Sequence, residues 1–134
     1  PDGQSSVADA IAIAAVVQAL VISLAEQYDA GERFSVAPTW RIEENRWSAC
    51  RYGVTGTMAN LETGEATATS ELLIELIEGI EPHAAALGGA AGLGRARELA
   101  QDNGAMAQRR LFADSGARGV ASWLAQRFLD APRG

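Results

Sequence analysis

Sixteen consecutive residues, Ala10 to Ala25, carry no charge, and this run constrains the fold more than any other stretch of the chain. Ser6 and Asp9 supply a helix start ahead of it: the serine accepts from backbone N–H groups and the aspartate favours the positive end of the dipole. The spacing predicts a helix from about Val7 to Tyr28, ended by Asp29-Ala30-Gly31. Its large apolar residues, Ile11, Ile13, Val16, Val17, Leu20, Val21, Ile22 and Leu24, point nearly all the way round. A helix of that kind needs cover on more than one side. The run includes Gln18, is rich in alanine and is shorter than the roughly 20 apolar residues of a membrane span, so a buried helix of a soluble protein is expected, with no membrane partner. Later helices can cover one face. The other face needs a further layer, and on a lone chain it would be sticky, which favours a homo-oligomer over a solitary monomer.

Downstream, Phe34 to Pro38 reads as an extended connector, because Pro38 disfavours helical geometry at Ala37. Thr39 is a candidate cap for the next helix, which Gly53 stops. Residues 54–68 alternate small and polar side chains around Glu62-Thr63-Gly64, the signature of a short β-hairpin. From Ser70, Leu72, Leu73, Leu76, Ile77 and Ile80 recur at helical spacing, with Glu71, Glu75 and Glu78 on the opposite, solvated face. Pro82 opens a short helix to Leu87, and Gly88, Gly89, Gly92 and Gly94 read as a break between helices. Their spacing is wrong for a dinucleotide loop, since Arg97 holds the third glycine position. Further helices are expected at Leu93 to Asn103, Ala105 to Asp114 and Arg118 to Leu129, the last with Val120, Trp123, Leu124 and Phe128 toward the core. The expected fold is mainly α, a single helical segment with one short β-hairpin near residues 54–68.

The densest chemistry lies in Glu44-Asn45-Arg46-Trp47-Ser48-Ala49-Cys50-Arg51-Tyr52-Gly53. At about 100° per residue, Glu44, Trp47, Ser48 and Arg51 share one face and Asn45, Ala49 and Tyr52 another, with Arg46 between them beside Glu43. Arg51 can lie across the Trp47 ring one turn back, which would ready its guanidinium for a phosphate or carboxylate. Alternatively the segment is a structural knot, with Trp47 and Tyr52 in the core and the arginines paired with Glu43 and Glu44. Two polar faces imply a buried or site-facing helix in either case.

These residues resemble the motif Asn-(Arg or Lys)-Trp-x-Ala-x-Arg-Tyr-Gly of the carboxylate-amine ligase family, also called the glutamate-cysteine ligase type 2 family. The likeness extends through the leading apolar helix, the Gly31 to Trp40 connector, Glu62-Thr63-Gly64, Glu81-Pro82 and Gly104-Ala105-x-x-Gln108-Arg109. Ser48 stands where an arginine is frequent, and Val54-Thr55-Gly56 replaces a more usual Leu-Asp segment. The resemblance implies an ATP- and Mg2+-dependent ligase of glutamine-synthetase-like α+β fold, joining an amino acid carboxyl to an amine through an acyl phosphate. Residues 1–134 would be its C-terminal segment. The catalytic sheet and most magnesium ligands would lie in an N-terminal portion that is this chain's partner. Arg46 and Arg51 are then the candidates for clamping phosphates or the acid, Asn45 for a polar contact, and Trp47 and Tyr52 for walling the ATP site. Gln108 and Arg109 are further candidates. A non-catalytic helical interaction or regulatory module derived from such a ligase is the alternative.

Composition narrows the chemistry further. Net charge is −6, and the stretch from Tyr52 to Gly94 holds six glutamates and no arginine, so nucleic acid and anionic membranes are excluded as partners. All 11 basic residues are arginine, which removes Schiff-base chemistry and the phosphate-loop lysine. Cys50, the single cysteine, permits no intrachain disulfide and reads as a small buried hydrophobe; with no secretory leader in the sequence, a cytoplasmic location is expected. His83, the single histidine, has no flanking catalytic motif.

Overall fold

The computed structural model describes residues 4–34 and 36–128, so Ser35 of the connector and Leu129 at the end of the last predicted helix lie outside the described residues. Six helices and one hairpin follow in the order α1 (Val7–Asp29), α2 (Thr39–Tyr52), β1 (Thr57–Ala59), β2 (Ala66–Ala68), α3 (Thr69–Gly79), α4 (Glu81–Ala86), α5 (Ala90–Gln101) and α6 (Gly104–Arg127). The mainly α architecture with a hairpin inside residues 54–68 is the expected one. A 3-10 turn at Gly53–Thr55 joins α2 to β1.

The core is small and made largely of small side chains. Ala12 and Ala19 of α1 pack with Ile77, Ile80, Ala84, Leu93 and Ala96, flanked by the half-buried Val16, Leu20 and Leu99. Gly92 lets α5 cross α1 closely, since a Cβ there would stand 2.7 Å from the Ala15 Cβ. Gly92 and Gly94 therefore belong to α5, and the helix break is confined to Gly88, at φ +73°, and Gly89. Close packing rather than chain reversal accounts for the extra glycine at position 92.

The Ser6 Oγ accepts from the Asp9 N–H at 3.1 Å, as the cap predicted. Asp9 itself is 1% exposed and accepts from Arg95 Nε and Nη2 at 2.9 and 2.7 Å, while Arg127 Nη2 of α6 lies 3.8 Å away. Burial works against the Arg95 charge, and its hydrogen bonds to Asp9 and Glu98 outweigh that, so its pKa is raised. This cluster ties α1, α5 and the end of α6 together.

Only one strip of α1 is buried: Asp9, Ala12, Ala15 and Ala19. Ile11, Ile13, Val17, Val21 and Leu24 are exposed, contrary to the expectation of a buried helix. The reason is geometric, because α4 and α5 both lie along the alanine strip and no described element covers the opposite side. At 23 residues α1 is longer than its uncharged run and is long and apolar enough to cross a membrane; its alanine strip packs against α4 and α5, and Asp9 in its first turn is ion-paired.

Two further expectations shift. Pro38, with ψ near 129°, occupies the cap position of α2, and Thr39 is the first helical residue; no side chain caps this helix. The C-terminal pair of helices forms as α6, bent at Gly116, whose φ of 63° and ψ of −167° break the helical path. Val120, Trp123 and Leu124 are half-buried, but Phe128 is 58% exposed rather than in the core, since α6 buries no residue fully.

Candidate functional site

The helix that carries the arginine-rich motif is joined to the molecule through polar contacts. α2 buries none of its residues. Its side chains at positions i, i+4 and i+7 instead grip the hairpin. In an antiparallel pair, alternate residues turn their backbone groups away from the partner strand. On β1 these are Thr57 and Ala59. The Asn45 amide completes Ala59 on both counts, with Nδ2 donating to the carbonyl at 2.8 Å and Oδ1 accepting from the N–H at 2.7 Å. Ser48 Oγ donates to the Thr57 carbonyl at 2.6 Å. Arg41 Nη1 donates to the carbonyls of Leu61 and Glu62 at 2.7 and 3.0 Å and fixes the turn, while its guanidinium lies 4.9 Å from the Trp40 ring centre. Inside that turn the Asn60 Oδ1 accepts from the N–H groups of Glu62 and Thr63, and Gly64 supplies the positive φ.

Between α2 and the hairpin lies a concavity of about 500 Å3, walled by Glu44, Asn45, Trp47, Ser48, Tyr52 and residues of β1 and β2. The Trp47 and Tyr52 rings meet edge to face, with centroids 5.6 Å apart and planes at 84°. Both are exposed, 59% and 48%, so neither is a core residue of this chain.

The seven sequence-selected residues fall in four places. Asn45, Trp47 and Tyr52 line the concavity. Arg46 and Arg51 do not. Arg46 makes an exposed i,i+3 pair with Glu43 at 2.7 Å, and Arg51 is exposed with no ion pair or hydrogen bond among the described residues. Arg51 does not stack on Trp47, whose ring is met by Tyr52 instead. Gln108 is half-buried in a separate apolar groove of about 660 Å3, bounded by Ile13 and Val17 of α1, Leu73 of α3 and Leu99 of α5. Arg109 is exposed on α6.

Cys50 is exposed rather than buried, because it shares the uncovered side of α2. His83 Nε2 lies 3.0 Å from Glu26 Oε2, linking α4 to α1, and its Nδ1 is buried without a hydrogen-bond partner. Glu71, Glu75 and Glu78 are solvated, and among the described residues no three His, Cys, Asp or Glu side chains converge as metal ligands. Sequence reasoning missed Arg41 and the hairpin-holding role of Ser48. The i, i+4, i+7 spacing of Arg41, Asn45 and Ser48 was the available signal, since it sets three hydrogen-bonding side chains on one face beside a predicted hairpin.

Residues 1–123 match the family described as glutamate-cysteine ligase family 2. Similar proteins provisionally named glutamate–cysteine ligase 2 occur in Micrococcus luteus, 34% identical over 85% of the chain, and in Gloeobacter violaceus, 32% identical over 85%. One provisionally named glutamate–cysteine ligase 2-1, from Mycolicibacterium smegmatis, is 31% identical over 84%. The chain spans 29%, 31% and 30% of the length of these relatives, respectively.

Proposed function

Because the chain belongs to glutamate-cysteine ligase family 2, we propose that it is the helical C-terminal part of an ATP-dependent carboxylate-amine ligase. In this reading ATP supplies the phosphoryl group that turns a carboxylate into an acyl phosphate. The amine nitrogen then bonds to the acyl carbon, phosphate departs and the nitrogen loses a proton. Such chemistry rests on fixed positive charge around transferring oxygens more than on a covalent nucleophile.

The observation that supports this reading is that the motif helix is unfinished as it stands. α2 buries nothing, and Arg51 is an uncommitted guanidinium. Arg46 is held only by an exposed pair with Glu43, and such pairs contribute about 0–1 kcal/mol, so it can be recruited cheaply. Both suit a phosphate or carboxylate brought by an upstream catalytic sheet. The apolar side of α1 is the surface that sheet would cover. In this reading the Mg2+ ligands come from that upstream portion.

The test is to assemble the chain with the upstream portion of its enzyme and follow ADP release that depends on both carboxylate and amine. Arg51→Ala should lower kcat by about a hundredfold or more, the scale of losing one transition-state charge contact, with the fold unchanged. Turnover near that of the parent assembly would refute the role. Association without any nucleotide-dependent chemistry would favour the non-catalytic module.

A further inference from the structure

The concavity between α2 and the hairpin has the wrong chemistry for a phosphate and the right chemistry for a cation. Most of its polar groups are already spent. The Asn45 amide is consumed by Ala59, Ser48 Oγ by Thr57, and Thr55 Oγ1 donates to the Tyr52 carbonyl at 2.8 Å. No arginine is among its walls. Arg41 packs its guanidinium against Gly64 with Nη1 committed to turn carbonyls, and Arg41, Arg46 and Arg51 all lie outside the lining. Of its charged groups one carboxylate stays available, Glu44, which has no ion pair or hydrogen bond among the described residues; beside it stand the half-open rings of Trp47 and Tyr52 with their N–H and O–H groups, and the Thr57 hydroxyl.

A carboxylate beside aromatic rings is the combination that holds an ammonium group, through charge on one side and the ring quadrupole on the other. An anionic group placed there would meet the Glu44 carboxylate, with no guanidinium in the lining itself. We infer that this concavity receives the cationic amino group of the amine substrate, with Glu44 as the charge partner and Trp47 and Tyr52 as the aromatic walls. The inference rests on the ligase reading for the identity of the ligand. It divides α2 between two tasks: Arg51 outside the concavity meets the anionic reactant, and Glu44 inside it meets the amine. A nucleophile must lie next to the group it attacks, so one rigid helix carrying both contacts fixes their relative position.

Hydroxylamine separates the two tasks, since it is largely neutral at neutral pH and traps an acyl phosphate as a hydroxamate. In the assembled enzyme, Glu44→Gln should lower the ratio of kcat/KM for a cationic amine to that for hydroxylamine at least tenfold, and Trp47→Leu should lower it in the same sense. An unchanged ratio, or a loss that appears in the KM for ATP, would overturn the assignment. If the parent assembly forms no hydroxamate, the ligase reading itself fails. The concavity is then decided by titrating the assembly with methylammonium chloride while following the Trp47 indole N–H resonance, with sodium chloride as control. A shift seen with methylammonium and abolished by Glu44→Gln supports a cation site; no shift, or an equal one with sodium, overturns it.

Discussion

Replacing Asn45 by alanine removes both hydrogen bonds that hold the outer edge of β1 to α2. Those bonds are 2.8 and 2.7 Å long and serve the carbonyl and N–H of Ala59, which is half-buried. A typical intramolecular hydrogen bond contributes about 1 kcal/mol net, so the pair together contributes about 2 kcal/mol. Every 1.4 kcal/mol is a factor of ten, so opening of the α2–hairpin contact should become about thirtyfold more frequent. Amide hydrogen exchange reads this directly: the Ala59 N–H should lose about thirtyfold of its protection, while amides within α5 keep theirs. Asn45→Asp retains the acceptor for the Ala59 N–H but sets a carboxylate oxygen where the amide N–H donated, 2.8 Å from the Ala59 carbonyl oxygen, so it should not restore the parent's protection. If Ala59 exchanges at the parent rate in Asn45→Ala, the amide does not hold the hairpin.

Two substitutions test the core. Asp9→Ala leaves Arg95 with Glu98 alone beside a desolvated site, and losing one member of a buried pair should destabilise the chain by about 3 kcal/mol in denaturant unfolding; a cost below about 1 kcal/mol would show that the cluster is weak. Gly92→Ala gains about 1 kcal/mol of helix propensity but places a Cβ 2.7 Å from that of Ala15, and overpacking of this kind costs about 1–3 kcal/mol. A net loss, reversed by adding Ala15→Gly, is expected in thermal melts, and a variant as stable as the parent would refute the close crossing.

Much of the fold was legible because its signals are local. The Ser6 cap, the Gly53 stop, the hairpin turn at Gly64 and the apolar spacing of Leu73, Ile77 and Ile80 each act within a few residues, and the structure follows them. The family was legible for a different reason, through the order of short motifs along the chain. What could not be read was tertiary. Whether Cys50 and Trp47 are covered depends on a layer that no spacing within α2 specifies. The bonds of Asn45 to Ala59 were not legible, because an amide offers the same donor and acceptor to a backbone as to a ligand. Asp9 was read for its place in the first turn of α1, and its partners, Arg95 and Arg127, come from distant helices.

That last contact bears on the order in which the molecule is assembled. Synthesis delivers α1 ahead of α5 and α6, with the Asp9 carboxylate still lacking both guanidiniums. Arg95 arrives only after the hairpin and α3, and Arg127 only at the end of α6. Pairings between sequence-distant residues carry the largest closure penalty and form late. Among the described helices α1 thus waits longest for its α5 and α6 partners, and it is there that a ribosome-bound intermediate would call on a chaperone.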